Sequence, residues 1–441
     1  MQKDIPLLRK AYRAWCAADT FRRNRERYKR YTYGDQWCDT VTDRDGTPMT
    51  EYDLLVSLGR RPMTNNLLRQ LIKTIVGRYR NEAAENRRYD TAAGSAHLLN
   101  DMPEMDARML EEFIISGCAV QRVAPERRIG GTGVWVDNVD PRTFFVNRHS
   151  DPRGLDIDLI GMFHDYAPDE VVARFGGHSA RRADELEQLY RAPDNIFSAA
   201  DGFGADTSAA VAFFAAPAGR WRVYEVWSLE SNTRRSRGGH IETTFTWRCR
   251  HLAPDGTVVA RYDSPYAHRS HPFALKLYPL IDGEVHSFVE DLIDTQRTIN
   301  RLVVTIDTMM STAAKGTLLF PVKRIAPGMS INDVARLWSA PDSVIPIGSG
   351  QGEMPTQVVT NTADSGAYQA LSLQMRLLSE ISGMSDAMMG RNTSGAAGSA
   401  LYEAQVRQSA TGLADLLATF DSFTRLRDDK IVTADIPAPR S

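Results

Sequence analysis

Few residues of this 441-residue sequence have the types and spacing that chemistry requires. The nine histidines form no HExxH motif, no GxSxG elbow is present, and no lysine follows a glycine-rich turn as in a P-loop. The glycine cluster GSGQG at 348–352 has no predicted strand before it and no helix directly after it, which favours a plain turn over a phosphate-binding loop. Asp291 and Asp294 lie near a predicted helix N-terminus, where carboxylates offset the helix dipole. The sequence therefore indicates no enzyme.

Composition excludes several other classes of protein. The four cysteines, Cys16, Cys38, Cys118 and Cys249, form no CxxC pair and have no histidine at ligand spacing, so we expect no metal, no cofactor and no disulfide framework. Lys plus Arg (53) nearly balances Asp plus Glu (55), so contact with DNA is expected to be local and weak. The sequence starts without a secretory signal and has no run approaching the roughly 18 apolar residues of a membrane span, so no membrane association is expected.

The first half of the chain alternates between helical and extended patterns. Residues 1–30 predict an amphipathic helix with a solvated cationic face, although a DNA-binding or partner-binding role for that face stays open. Helices are also predicted from near Thr64 and over residues 101–117, the latter ending at Gly117. The short runs CAVQRVAP, GVWVDNV and TFFVNR then predict a small sheet.

The middle of the chain predicts further sheet. Residues 166–190 have helical spacing, whereas 195–220 are rich in Gly, Ala and Ser and predict a loop of low order. Residues 221–285 predict hairpins, with a turn at Asp255 and Gly256. The first two thirds are therefore interpreted as an α+β body.

The last third is mainly helical. A long helix is predicted over 290–316, ended by Gly316 and Pro321, and residues 321–364 predict a compact excursion rather than a helix. Helical spacing then resumes at 365–383 through Tyr368, Leu371, Met375, Leu378 and Ile381. A run with four glycines breaks this helix, and a final helix follows.

The order of elements and the sequence motifs of this last third resemble those of the portal proteins of tailed bacteriophages and prophages. The phrases are the helix DLIDTQRTINRL, a short insertion, a helix ending SEISGMSDAMMG, and NTSGAAGSALYEAQVRQSA. Three further motifs are similar to segments of the amino-terminal part of proteins in that family: YTYGDQW, TNNLLRQLIKTIVGRYR and VDPRTFFVNRHSDPRG. The resemblance covers most of the chain and is weakest at 190–220.

The resemblance implies a portal fold that assembles into a ring. Its parts would be an α+β wing at 1–286, a first stem helix at 287–320, a clip at 321–364, a second stem helix at 365–383, a tunnel loop at 384–398, and a final helix with a minimal or truncated crown at 399–441. Many portal proteins continue into a helical crown after the final helix, so the crown is expected to be absent, minimal or truncated here.

The resemblance also implies a function. Twelve subunits would form the channel at the capsid vertex through which double-stranded DNA is packaged and ejected, contacting the DNA transiently and without sequence specificity. The expected protein partners are the terminase large subunit, capsid or scaffold proteins, and later neck or adaptor proteins. The expected location is the virion, and the host cytoplasm during assembly. The loop residues expected to follow the DNA are Met388, Met389, Arg391 and Asn392, and the partner-facing clip residues are Lys323 and Arg324.

Two other classes of protein are weighed against the portal. Another ring component of the virion, such as a head-to-tail adaptor, would be expected to lack the paired stem helices that flank a clip. A packaging ATPase or nuclease would need a phosphate-binding loop or a cluster of acidic metal ligands, and neither pattern is present.

Overall fold

The computed structural model describes residues 2–85, 88–89, 92–128, 130–177, 179–191, 207–235, 241–313, 317–339, 344–349, 353–358, 365–384 and 399–434. The chain divides into two compact units. The first unit comprises Met1–Lys29, Ile72–Glu290 and Ala410–Ser441, and the second comprises Arg30–Leu71 and Asp291–Ser409.

Helices and strands are both present throughout the chain, as expected for an α+β fold. The helices are α1 (Ile5–Ala17), α2 (Asp19–Thr32), α3 (Glu51–Ser57), α4 (Leu67–Glu85), α5 (Gly94–Leu99), α6 (Met102–Ser116), α7 (Pro168–Phe175), α8 (Ala180–Arg191), α9 (Thr207–Phe214), α10 (Glu290–Ala313), α11 (Ile331–Ser339), α12 (Ser365–Ile381) and α13 (Ser399–Ala434). The strands are β1 (Thr40–Thr42), β2 (Pro48–Thr50), β3 (Cys118–Arg128), β4 (Gly131–Asn138), β5 (Phe144–Val146), β6 (Leu159–Tyr166), β7 (Trp221–Arg235), β8 (Ile241–Leu252), β9 (Val258–Asp263), β10 (Phe273–Leu277), β11 (Pro279–Ile281), β12 (Glu284–Val285), β13 (Thr317–Leu319) and β14 (Thr356–Val358).

Two antiparallel sheets form the body of the first unit. One has the strand order β10-β3-β4, and the other has the order β5-β6-β7-β8-β9. The runs that predicted one small sheet are therefore divided, because the third run forms β5 of the larger sheet. The hairpins predicted at 221–285 are confirmed, and the amide of Gly256 donates to the carbonyl oxygen of Ala253 (2.9 Å) in the predicted turn.

Most of the helices that apolar spacing predicted in the first unit are present. Two helices, α1 and α2, replace the single helix predicted over 1–30, and Asp4 caps α1 by accepting from the amide of Leu7 (3.2 Å). Helix α6 ends at Gly117 as predicted, with φ of 73°, a left-handed conformation that glycine adopts without strain. A Cβ at this position would also lie 2.8 Å from a methyl carbon of Val285.

One expectation for the first unit is wrong. Residues 207–214, part of the stretch predicted as a loop of low order, form helix α9, whose Phe213 and Phe214 are fully buried. The Phe213 ring lies 5.2 Å from the ring of Tyr12 and 4.8 Å from that of Tyr224, measured between centroids. The many small residues of this stretch indicated a loop, although its two phenylalanines are part of the core. Residues 192–206 lie outside the described residues.

The second unit contains nearly all of α10, all of α11 and α12, and the start of α13, whose residues from Ala410 onward belong to the first unit. The predicted helices at 290–316 and 365–383 are confirmed as α10 and α12, although Gly316 lies outside the described residues. The expectation that 321–364 contains no helix is wrong, because α11 occupies 331–339. Ser330 and Asp333 explain its start: the Ser330 hydroxyl accepts from the Asp333 amide (3.3 Å), and Asp333 accepts from the Ser330 amide (3.0 Å).

Candidate functional site

A buried polar network ties the first half of α10 to an earlier segment of the second unit. The fully buried Gln296 donates to the carbonyl oxygen of Asn65 (2.7 Å) and accepts from the amide of Leu67 (3.1 Å). Asn300, also buried, donates to Gln36 (2.6 Å) and accepts from the amide of Asn65 (3.1 Å). Buried polar groups are costly unless each finds a partner. The network therefore fixes the register of α10 on this segment.

Glu51, the first residue of α3, joins α10 through two ion pairs. Its carboxylate accepts from Arg297 (3.0 Å) and Arg301 (2.6 Å), an arrangement that we call the Glu51 clamp. Burial alone would raise the pKa of Glu51, but the two guanidinium groups outweigh burial and lower that pKa. The side chain of Arg297 is 20% exposed and that of Arg301 is 51% exposed, so the first ion pair is the better shielded from water.

The sequence carried a signal for this network that its interpretation missed. Gln296 and Asn300 lie four residues apart, on the same side of α10 as the predicted apolar positions Leu292 and Ile299. A polar pair at that spacing within an apolar stripe indicates buried hydrogen bonds. The contacts of Glu51, by contrast, could not be predicted, because no pattern in the sequence pairs residue 51 with residues 297 and 301.

The excursion between α10 and α12 is closed at its base by a short strand pair. β13 pairs antiparallel with β14, with Thr317 opposite Val358. A second closure is the bridge between Ile325 and Ile347. Lys323 and Arg324 lie in a single 3₁₀ turn next to this base, Lys323 exposed and Arg324 half-buried. Both residues belong to the excursion, and their role as partner-facing residues stays a prediction.

Large apolar side chains are exposed along this part of the second unit. Of the 24 such side chains exposed among the described residues, 11 lie between residues 310 and 381, which marks this segment as the richest in uncovered apolar surface. They are Met310, Leu319, Val322, Ile331, Val344, Ile347, Met354, Tyr368, Leu373, Met375 and Ile381. Of the apolar positions predicted for α12, Leu378 is buried, whereas Tyr368, Met375 and Ile381 are exposed. The spacing predicted the helix correctly, but three of its five apolar positions are not covered within the subunit.

The four residues predicted to contact DNA, Met388, Met389, Arg391 and Asn392, lie outside the described residues, as do all residues from 385 to 398. Their role as tunnel-loop residues therefore stays a prediction. Part of GSGQG, residues 350–352, also lies outside.

The solvated cationic face predicted for the helix at 1–30 is wrong for two of its arginines. Arg22 is buried, lies over the ring of Trp15 at 3.6 Å from its centroid, and donates to the carbonyl oxygen of the same residue (2.5 Å). Arg25 is buried and donates twice to Glu112, at 2.6 and 2.7 Å. These arginines stabilise the first unit, and neither is presented to DNA or a partner.

A buried charge cluster joins the two sheets of the first unit, with Arg122 on β3 and Glu225 and His164 on the larger sheet. Glu225 accepts from Arg122 (3.0 Å) and Trp227 (2.9 Å), and Nε2 of His164 lies 3.0 Å from it. Burial would raise the pKa of Glu225, but Arg122 and His164 outweigh burial and lower it. The neighbouring thiol of Cys249 is not activated, because burial raises its pKa. The cluster therefore holds the two sheets together and offers no nucleophile.

Charged residues also attach the carboxyl-terminal part of α13 to the rest of the first unit. Arg427 forms a fully buried ion pair with Asp106 and donates to Asp428 (2.8 Å). Lys430 is buried as well, and its ammonium donates to the carbonyl oxygen of His271 (2.8 Å). Burial lowers the pKa of Lys430 to about 8. The charged ammonium therefore destabilises the folded state at this position.

Among the described residues, no three His, Cys, Asp or Glu side chains form a group that could hold a metal ion. No helix in that part of the chain is long and apolar enough to cross a membrane. No curated protein sequence matches the chain. The model of one family, the phage P22-like portal protein, matches residues 8–433. This match spans nearly the whole sequence and agrees with the resemblance of its sequence motifs to portal proteins. The chain therefore belongs to the phage P22-like portal protein family.

Proposed function

We propose that twelve copies of this chain form the channel at the capsid vertex through which double-stranded DNA is packaged and ejected. The family match over residues 8–433 carries this proposal. The ring would dock the terminase large subunit during packaging and neck or adaptor proteins afterwards. Capsid or scaffold proteins would surround it, first in the host cytoplasm and then in the virion.

The proposed parts are those that the family resemblance implies. Residues 1–286 would be the wing, 287–320 and 365–383 the stem helices, and 321–364 the clip. Residues 384–398 would be the tunnel loop, and 399–441 the final helix with a minimal or truncated crown. Two long helices that flank a base-closed excursion are consistent with a stem and clip, and they favour a portal over a head-to-tail adaptor.

The exposed apolar segment supports a function that requires assembly. Side chains such as Tyr368 and Leu373 on α12, or Val322 and Val344 in the excursion, would be covered by neighbouring copies or docked partners. Lys323 and Arg324 would attract an acidic surface of such a partner. In the tunnel loop, Met388, Met389, Arg391 and Asn392 would touch the moving DNA without holding it, because each neutralised phosphate adds affinity that slows translocation.

Electron microscopy and native mass measurement of the purified full-length chain test the ring. The expected result is a ring with a hole of roughly 20 Å or more, the width of a DNA duplex. Its mass would be that of twelve copies of the 49.2 kDa chain, about 590 kDa. A compact dimer that hydrolyses nucleotide would refute the portal function.

The tunnel loop is tested separately. Deleting residues 386–397 should leave ring assembly intact but reduce nuclease-protected DNA in a packaging reaction, because the proposed subunit contacts lie elsewhere. Replacing the same residues with a glycine-serine linker of equal length is the matched control for loop length. Loss of the ring in the deletion variant would show that the loop is structural.

A further inference from the structure

The hairpin of β7 and β8 extends beyond the sheet to which it belongs. β6 pairs only with residues 221–228 of β7, and β9 pairs only with residues 248–252 of β8. The remaining seven pairs, from Leu229 opposite Trp247 to Arg235 opposite Ile241, have no third strand beside them among the described residues. We call these residues, 229–235 and 241–247, the β-arm.

One face of the β-arm continues the core of the first unit into solvent. Trp247 at its base packs against the buried cluster around Trp227 and Phe273. Because side chains alternate along a strand, Phe245 and Ile241 lie on the same face as Trp247. Phe245 is 68% exposed and Ile241 is 62% exposed. The apolar positions of this face, with Thr243 between Ile241 and Phe245, therefore begin in the core and lose their cover along the arm.

A two-stranded ribbon is at best marginally stable in water without its sheet, so the part of the arm beyond the sheet would gain stability from a partner surface. Four of its exposed polar residues, Asn232, Thr233, Thr243 and Thr244, are uncharged, and its sequence also contains Glu242. The sequence places arginines near the turn, at 234, 235 and 237, which an acidic protein surface or DNA would attract. DNA contacts, however, rely on cationic and polar groups, and they would leave an exposed phenylalanine and isoleucine without a role unless the bases were unstacked.

The size of the β-arm limits what its partner can be. Seven residues of strand extend about 23 Å, and a two-stranded ribbon about 10 Å wide offers roughly 230 Å² on one face. An independent partner needs about 800 Å² from each side of a stable interface. The arm is therefore too small to hold such a partner, but it can extend a contact that larger surfaces already make. Neighbouring copies in a closed ring make a contact of that kind.

We propose that Phe245 and Ile241 of each β-arm bind the first unit of the adjacent copy. This inference rests on the proposed ring. In a head-to-tail ring, an arm on one side of the subunit contacts a different surface of its neighbour. Each copy therefore contributes its arm to one neighbour and binds the arm of the other.

Paired substitutions test the arm. Phe245→Asp places a charge on the proposed contact face, and Thr244→Asp places the same charge on the opposite face, one residue away. Both positions are exposed, so neither variant is expected to disturb the subunit fold, which circular dichroism would check. We expect Phe245→Asp to raise the concentration for half-assembly of the ring at least tenfold, and Thr244→Asp to change it less than twofold.

The outcomes separate the arm from the ring. If the wild type forms rings and Phe245→Asp forms them equally well, the arm inference is wrong and the proposed function stands. If Phe245→Asp assembles normally but its rings lose affinity for duplex DNA, the arm is a DNA contact and the inference is also wrong. A wild type that never forms rings overturns both proposals. As an independent readout, benzoylphenylalanine at position 245 should crosslink to the first unit of a second copy, and crosslinks confined to its own chain would contradict the inference.

Discussion

The two arginines of the Glu51 clamp should differ in their contribution to stability. Both donate to the same carboxylate, but Arg297 is largely shielded from water and Arg301 is half exposed. Arg297→Met leaves the buried Glu51 carboxylate with one partner, so we expect a loss of about 2–4 kcal/mol, below the cost of stripping a buried ion completely. Arg301→Met removes a solvent-screened pair and should cost less than about 1 kcal/mol.

Peptide-resolved hydrogen exchange of the full-length chain measures this difference locally. The amides of residues 49–57, which include α3, should exchange faster in Arg297→Met than in Arg301→Met. Equal losses, or a larger loss for Arg301→Met, would refute the reasoning from burial. Because the pKa of Glu51 is lowered, its stabilising contribution is complete above the ordinary glutamate pKa and is lost as the pH falls through the lowered value. The effect of Glu51→Gln should therefore shrink in acid.

Two predictions concern the attachment of α13. Arg427→Met should cost about 3–5 kcal/mol, since Asp106 would remain buried without its counter-ion. Adding Asp106→Leu should recover at least half of that loss in denaturant unfolding, and a double variant no more stable than the single one would contradict this. Lys430→Met should stabilise the chain at pH 7 by about 2 kcal/mol, because the cost of burying the ammonium exceeds the value of its one hydrogen bond. Since the folded pKa is about 8, this advantage should shrink between pH 8 and 10.5, and an advantage unchanged over that range would count against it.

The start of α4 shows where sequence reasoning ends. Thr64, Asn65 and Asn66 are all N-cap residue types, and the sequence predicted a start near the first of them. In the structure, Thr64 accepts from the indole of Trp37 (3.1 Å), and Asn65 is held by α10 through its backbone. Asn66 is left to cap the helix, and its side chain accepts from the amide of Arg69 (3.1 Å). Contacts with distant residues therefore decided among three equivalent local signals.

Local patterns predicted the elements better than they predicted what covers them. Gly117 ended α6 as expected, because a left-handed glycine is a strictly local requirement. Arg22 and Arg25 were misjudged because a charged residue on a helix is ordinarily solvated, and their burial depends on Trp15 and Glu112 from elsewhere in the first unit. Periodicity alone could not show that Met375 is exposed within the subunit.

Two helices of the second unit differ in what they bury. Gln296 and Asn300 of α10 are buried against the same chain, whereas Tyr368 and Leu373 of α12 are exposed. Buried hydrogen bonds with specific geometry select one register, while apolar surface adds affinity with little directionality. In the proposed ring, the network and the Glu51 clamp would hold α10 in place before assembly. Neighbouring copies would then need only to cover apolar surface, so a defect in the clamp should disturb the geometry of the subunit more than its tendency to associate.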